Sequence, residues 1–238
     1  EIIYFLNQQR SLLALQKAEK MKKQAFADRY PYGIFSCIRT MGHIYKSRGN
    51  FDLSAQYYQE ALDYMLKNMP DQDPSQLYSS LAEYYRNTQK DYATALDYCE
   101  KALKSAKTER NIAQAMIEKC LVLFRQGRID EFNDCYKEAV QMADRCKLSA
   151  SVSLLIAHIS KNILDKQYEQ AHAHADQLSE EGLQQHAYIY ECAKDYPNAI
   201  KYLKKYHQQL DSTNNLLQLS DIAELNTQIG AERLKMEN

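Results

Sequence analysis

Histidine, cysteine and acidic residues are the side chains whose types and spacing could support metal or covalent chemistry. The densest cluster is Ala171-His-Ala-His-Ala-Asp176. Successive residues on a helix are rotated by about 100°, so His172 and His174 point to different faces and cannot chelate one ion together. His172 and Asp176 share a face, but a bound metal needs further ligands in register. The sequence therefore predicts no metal centre.

The cysteines show no CxxC motif and no paired spacing. They are Cys37, Cys99, Cys120, Cys135, Cys146 and Cys192. Several fall at positions typical of a helix core, where a free cysteine packs as a small hydrophobe. Disulfide frameworks belong mostly to shorter, loop-rich chains. We therefore expect structural thiols, which favour a reducing compartment.

Motifs of the common enzyme classes do not occur in the sequence. It contains no HExxH, no G-x-S-x-G and no glycine-rich phosphate or dinucleotide fingerprint. The sequence therefore predicts a non-catalytic protein without a cofactor.

The composition indicates which elements must position these side chains. The chain has 238 residues, 30 Lys+Arg and 31 Asp+Glu, which argues against nucleic-acid binding through overall charge. Six Gly and four Pro amount to about 4% of the chain, against roughly 12% in an average protein. Strand-rich folds need these residues at their turns, so the composition predicts an all-helical chain. The sequence opens at Glu1 without Met and in mid-pattern, which indicates an excised fragment.

A helical hairpin pattern recurs along the chain. Its clearest copy, residues 41–62, has Met41, Gly42 and Tyr45 on a first helix, a Gly-Asn turn, and Ser54, Tyr58 and Ala61 on a second. Spacings of three and four place each set on one helix face. Further copies cover residues 81–102 (with one extra residue in the turn), 120–139 (with the bulky Phe132 at a small-residue position), 155–178 and 187–206.

These residues resemble the tetratricopeptide repeat family, most specifically over residues 41–62 and as far as about Tyr206. The resemblance implies an all-α, right-handed superhelical solenoid of about five to six hairpins over residues 1–210. A C-terminal capping or connector helix is expected over residues 211–238. Small residues let paired helices approach closely, and aromatic residues of the neighbouring hairpin are expected to fill the gaps between repeats.

In this family the first helix of each hairpin lines an inner groove where ligands bind. The resemblance places eleven residues there: Arg39, His43, Lys46, Glu83, Arg86, Asn87, Gln114, Ile117, Leu121, Phe124 and Arg125. Such a groove could hold a peptide by charge and by an apolar anchor, and a solvated helix face is the alternative interpretation. The family's chaperone-binding clamp for terminal carboxylates is not matched, because only Arg39 keeps the required charge.

The segment 211–238 departs from the repeat and carries an apolar stripe. The stripe consists of Leu216, Leu219, Ile222, Leu225, Ile229 and Met236. It is typical of a capping helix on the last hairpin, or of a connector to a membrane span or a dimer stalk.

The chain also looks like the sensor regions of membrane-anchored histidine kinases or transcriptional regulators of the Bacteroidetes. Residues 31–33, 48–50, 219–225 and 233–238 carry this resemblance. It implies a recognition module with a protein or peptide in the groove, a periplasmic location, a membrane span after residue 238 and a homodimer through the C-terminal helix. The alternative is a soluble cytoplasmic adaptor, which the unpaired cysteines favour.

Overall fold

A computed structural model describes residues 10–148, 151–179 and 181–237, and over these ranges its regular elements are helices without a strand. The predicted class, an all-α helical-repeat solenoid, is confirmed. The α-helices are α1 (Ser11–Ala27), α2 (Pro31–Ser47), α3 (Phe51–Asn68), α4 (Ser75–Tyr84), α5 (Tyr92–Ser105), α6 (Glu109–Arg125), α7 (Ile129–Arg145), α8 (Val152–Leu164), α9 (Tyr168–Ala175), α10 (Gly182–Cys192) and α11 (Tyr196–Glu237).

The chain divides into two compact units. The first unit comprises Glu1–Gln72 and Leu210–Asn238, and the second comprises Asp73–Gln209. The first contains α1, the hairpin α2–α3 and the later part of α11. The second contains the hairpins α4–α5, α6–α7 and α8–α9, followed by α10 and the beginning of α11.

The hairpin of the first unit is closed by a glycine packed against an aromatic ring. A Cβ atom added to Gly42 would lie 2.8 Å from the ring of Tyr58, so only glycine fits without displacement of that ring. Tyr58 is buried, and its hydroxyl lies 2.9 Å from Nδ1 of His43. We expected aromatic residues to fill gaps between neighbouring hairpins. Tyr58 instead packs on the first helix of its own hairpin, whereas Tyr136 on α7 contacts His158 of the following hairpin, as expected.

The core of the second unit accommodates the bulky residue that breaks the repeat pattern. Phe132 is fully buried, with ring centroids 5.6 Å from Phe124 and 5.7 Å from Tyr136. Ala139 and Ala143 belong to the same buried cluster. Small side chains about two and three turns further along α7 thus belong to the same core as the phenylalanine ring.

The turn within each hairpin contains one residue in the left-handed backbone conformation. Gly49 and Gly127 have φ of 72°, and Lys90, Lys166 and Lys194 have φ of 56°, 58° and 62°. The extra residue predicted in the second copy is absorbed by a π-helical turn, Tyr85–Gln89, between α4 and Lys90.

The C-terminal segment is the continuation of α11 rather than a separate helix that starts at residue 211. Two of its side chains, Asp221 and Glu224, make polar contacts with the N-terminal part of the chain. Arg48, at the end of α2, pairs with Asp221 at 2.5 Å and also contacts Ser11. Glu224 accepts a hydrogen bond of 2.9 Å from the backbone N–H of Leu13, near the start of α1.

The apolar stripe of this segment faces solvent as far as its side chains are described. Its exposed members are Leu216, Leu219, Ile222 and Leu225, and the side chains of Ile229 and Met236 lie outside the described residues. Over the described part of the chain, no helix combines the length and apolar character that a membrane crossing requires.

Candidate functional site

A concave cavity of about 250 Å³ lies among the first helices of successive hairpins in the second unit. Helix α4 contributes Gln76, Ser79, Ser80 and Glu83 to its wall. Helix α6 contributes Gln114, Ile117 and Glu118, and the start of α8 contributes Ser151 and Ser153.

The cavity wall is rich in hydroxyl and amide groups. Amide side chains offer both hydrogen-bond donors and acceptors, and a hydroxyl offers one donor and two lone pairs. Gln76 at the wall donates a 3.2 Å bond to Asn111, and Ser80 donates to the carbonyl of Gln76. Ile117 supplies a buried apolar surface. The wall therefore offers neutral hydrogen-bond donors and acceptors beside one apolar side chain.

A buried ion pair underlies the cavity. Arg86 in the π-helical turn and Glu118 on α6 are 5% and 6% exposed, and Nη2 of Arg86 lies 2.9 Å from Oε2 of Glu118. Ser153 donates a 2.6 Å hydrogen bond to the other carboxylate oxygen. Asn87 accepts a 2.8 Å bond from Nη1 of Arg86. The network therefore links the π-helical turn, α6 and the start of α8.

Asp73 fixes the start of α4 against the start of α6. It accepts hydrogen bonds of 2.9 Å from Ser75 N, 2.8 Å from Lys107 N and 2.8 Å from Asn111 Nδ2. Partial burial opposes ionisation of this carboxyl, but these donors outweigh it and lower the pKa of Asp73. Helix α4 begins at Ser75, its N-cap position is Pro74 without a side-chain cap, and Asp73 just before it supplies the acceptor for the Ser75 N–H.

The groove residues predicted in the second unit lie in different environments: at the cavity, in a buried ion pair or in the core. Glu83, Gln114 and Ile117 line the cavity. Arg86 is committed to Glu118 and Asn87, as described above. Leu121 is 1% exposed and belongs to the same buried core as Ile117, but it does not line the cavity.

The two predicted residues at the end of α6 take part in aromatic contacts. Phe124 packs on the ring of Phe132. The guanidinium of Arg125 lies 4.9 Å from the ring centroid of Tyr188 on α10. Burial raises the pKa of Tyr188 to about 12, so this phenol stays neutral. The predicted combination of cationic and apolar anchors is therefore largely used for internal contacts in this unit.

The groove residues predicted in the first unit all lie on α2. The guanidinium of Arg39 lies 5.3 Å from the ring centroid of Phe35, and its buried Nε has no hydrogen-bond partner. His43 is exposed and contacts Tyr58 edge-on, with ring centroids 5.3 Å apart. Lys46 is partly buried near the end of the helix.

The predicted groove did not include Ser79, Ser151 and Ser153, which line the cavity. Ser151 and Ser153 precede the repeat copy at residues 155–178, and the repeat pattern of that copy is too weak to show that its first helix begins before residue 155. A serine before an apolar run is typical of a helix N-terminus, so Ser151 itself indicates where this helix begins. Ser151 indeed accepts a hydrogen bond from Leu154 N.

The histidine cluster forms two separate stacks. His172 stacks on His186 with centroids 4.9 Å apart, and His174 stacks on His158 at 5.0 Å. The prediction that His172 and His174 face different directions is confirmed. Asp176 contacts Nε2 of His186 at 3.0 Å. Over the described residues, no three His, Cys, Asp or Glu side chains are arranged to hold a metal ion.

Comparison with known proteins agrees with the helical-repeat architecture. The tetratricopeptide repeat family matches residues 40–64. No curated protein matches the chain. The family match supports the interpretation of the hairpins as tetratricopeptide-type repeats.

Solved structures similar to the chain share its fold at low sequence identity. BtubC (BKLC) from P. vanneervenii has a TM-score of 0.52 at 16% identity, over 84% of this chain and 91% of its own. PilW, a widely conserved type IV pilus biogenesis factor, has a TM-score of 0.56 at 14% identity, over 88% and 90%. Aspartyl phosphate phosphatase F from Bacillus subtilis has a TM-score of 0.52 at 17% identity, over 87% and 67%. At these identities the likeness shows the fold alone.

Proposed function

We propose that the chain is a non-catalytic protein-interaction module that binds an extended segment of a partner protein along α4, α6 and the start of α8. The observation that carries this proposal is the concave cavity lined by hydroxyl and amide side chains on the first helices of successive hairpins. The repeat match at residues 40–64 supports the same general role. The hydroxyl and amide groups of the cavity wall can both donate hydrogen bonds to the main chain of such a segment and accept hydrogen bonds from it.

The charge at the cavity favours a neutral or basic segment. The cavity lining contains two charged residues, Glu83 and Glu118. Arg86 neutralises Glu118 through the buried pair, and the described residues that line the cavity include no lysine or arginine. An acidic segment would be repelled, since like charges brought together in a concave site disfavour binding.

The binding surface can be tested with a library of short random peptides selected on the immobilised chain. Gln114→Arg places a long cation at the cavity and should reduce binding of the selected peptides at least tenfold. Gln56→Arg makes the same change at an exposed position of α3 and serves as the control. Equal affinities of Gln114→Arg and wild type would contradict the proposed site.

The finer proposal is that this module is the sensor region of a membrane-anchored signalling protein. Exposed Leu219, Ile222 and Leu225 support a second copy of α11 as a partner, because they spread over about 120° of the helix surface. Light scattering should then show a dimer that Ile222→Glu dissociates, whereas a monomeric wild type would contradict this arrangement. Sequence of the native reading frame beyond Asn238 tests the membrane anchor, through an apolar run of about 20 residues.

The alternative proposal is a cytoplasmic adaptor that assembles other proteins. The six cysteines support it, because all are free thiols in the structure. A polar tail or a stop codon soon after Asn238 would favour this alternative.

A further inference from the structure

Two thiols meet between the helices of the third hairpin copy. Cys120 on α6 and Cys135 on α7 have their Sγ atoms 2.9 Å apart. A disulfide bond needs a separation of about 2.05 Å, so closure requires a movement of less than about 1 Å. The two helices are consecutive and form one hairpin, so the two cysteines already lie on facing helices.

The two thiols differ in accessibility and in acidity. Cys120 is fully buried, whereas Cys135 is partly exposed. Cys120 donates a hydrogen bond to Cys135, and this bond lowers the pKa of Cys135 against the opposing effect of burial, with smaller contributions from Lys119, which lowers it, and Glu138, which raises it. The same hydrogen bond, together with burial, raises the pKa of Cys120. The reachable sulfur is therefore the one that forms a thiolate more readily.

The pair of Cys120 and Cys135 differs from Cys99, a buried cysteine, in the acidity of its partly exposed member. When protonated, Cys135 can donate to the carbonyl of Met116 at 3.5 Å. Cys99, on α5, is buried, and burial raises its pKa above the range where a thiolate forms. A thiol of that kind is inert toward exchange, because the thiolate is the nucleophile.

We propose that Cys135 and Cys120 form a site of thiol–disulfide exchange whose reagent is a low-molecular-weight disulfide. The Cys135 thiolate attacks one sulfur of the external disulfide, which forms a mixed disulfide and releases one thiolate. Cys120 then loses its proton and attacks Sγ of Cys135, which breaks the mixed disulfide and releases the second thiolate. In total two protein thiols are oxidised to one disulfide, and the external disulfide is reduced to two thiols that carry the two protons.

The product is a covalent link between the first and second helices of one hairpin. Helix α6 also carries Gln114 and Glu118 of the cavity, so the link would stiffen one wall of that site. The exchange itself does not depend on peptide binding, and it can be measured without any partner.

The experiment uses the reduced full chain and oxidised glutathione as the probe. After incubation, denaturation and alkylation, we expect four thiols in place of the six cysteines of the sequence. Non-reducing peptide mapping should show one link between Cys120 and Cys135, with no retained glutathione. Cys120→Ala should instead retain one glutathionyl group on Cys135.

Two further variants control for unspecific oxidation. Cys135→Ala should keep all its remaining thiols. Cys146→Ala removes another partly buried cysteine and should still form the link. Circular dichroism should confirm that each variant is folded. Six titratable thiols in the treated wild type, or a link that contains Cys99, would overturn the proposal.

Discussion

The ion pair between Arg86 and Glu118 shows how individual residues decide the character of the candidate site. Both side chains are almost fully buried. Removal of one charge from such a pair leaves the other uncompensated in a medium of low polarity, which costs far more than the pair contributes as a whole. Arg86 therefore acts as a counter-ion to Glu118 and not as a cationic anchor for a ligand.

Single and double replacements of the pair should have opposite effects on the stability of the second unit. Glu118→Leu should lower the free energy of unfolding by about 3 kcal/mol, because Arg86 stays buried without a counter-ion. Arg86→Met combined with Glu118→Leu should recover most of that loss. Hydrogen exchange of the α6 amides measures both effects locally. A double variant less stable than Glu118→Leu alone would show that the charges stabilise the unit in their own right.

The histidine stacks predict a pH dependence of stability. Burial lowers the pKa of His158, and His174 lowers it further against the opposing charge of Asp144. Burial and then His186 lower the pKa of His172, with Asp176 opposing. The folded-state pKa values thus lie below the unfolded value of about 6.5. The folded chain is most stable above that pH and loses stability as the pH falls through it toward the lowered values.

Thermal unfolding at pH 7.5 and pH 5.5 checks this prediction, with a lower midpoint expected at pH 5.5. His172→Phe keeps a ring against Tyr190 but cannot be protonated, so it should reduce the difference between the two midpoints. His207→Phe, on an exposed part of α11, is the control. A midpoint difference unchanged by His172→Phe would contradict the assigned role.

At the scale of the elements, the hairpin turns predict a stabilising substitution. Lys194 has a φ of 62°, a conformation that costs about 1 to 2 kcal/mol for a residue with a Cβ atom. Glycine avoids this cost but loses about 0.5 to 1 kcal/mol in chain entropy. Lys194→Gly should therefore raise the free energy of unfolding of the last hairpin by about 0.5 kcal/mol.

The control for this change is Lys204→Gly, in the exposed interior of α11. It should destabilise by about 1 kcal/mol, because glycine is a poor helix former. Thermal unfolding of both variants gives the comparison. Loss of stability in Lys194→Gly would mean that the lysine side chain itself supports the turn.

The elements of this fold could be predicted from the sequence, but the site only in part. Small and aromatic residues at spacings of three and four are enough to place the helices, because each hairpin must bury one face. The role of Arg86 could not be derived in that way. Its position depends on a π-helical turn that re-aims the side chain toward Glu118, and a family pattern does not specify that local change.

Leu121 illustrates the same limit on helix α6. Projection from the repeat pattern placed it beside Ile117 on the groove face. Residues four positions apart lie about 40° from each other around a helix, so Ile117 and Leu121 do share a face, and both are buried at 1% exposure in the same core. The repeat pattern thus gives the face of a residue, but not how far the neighbouring helices cover that face.

At the scale of the whole molecule, the first unit is assembled from both ends of the chain. Leu13 and Glu224 are separated by 211 positions, yet their hydrogen bond is one of the contacts that join α1 to α11. Arg10, at the N-cap position of α1, makes no side-chain capping bond. Glu224 is 3% exposed and supplies the missing acceptor at the positive end of the helix dipole.

The hydrogen bond from the Leu13 N–H to the Glu224 carboxylate leads to a prediction about the stability of α1. Glu224→Ala removes the acceptor of the Leu13 N–H, and loss of a cap costs about 1 kcal/mol, so α1 should exchange its amide hydrogens about five times faster. Glu224→Gln keeps an acceptor oxygen and should exchange at an intermediate rate. Asp211→Ala, an exposed acidic residue of the same helix, should leave α1 unchanged. Faster exchange in all three variants would indicate a general weakening of α11, and unchanged exchange in Glu224→Ala would show that α1 does not depend on the C-terminal segment for its first turn.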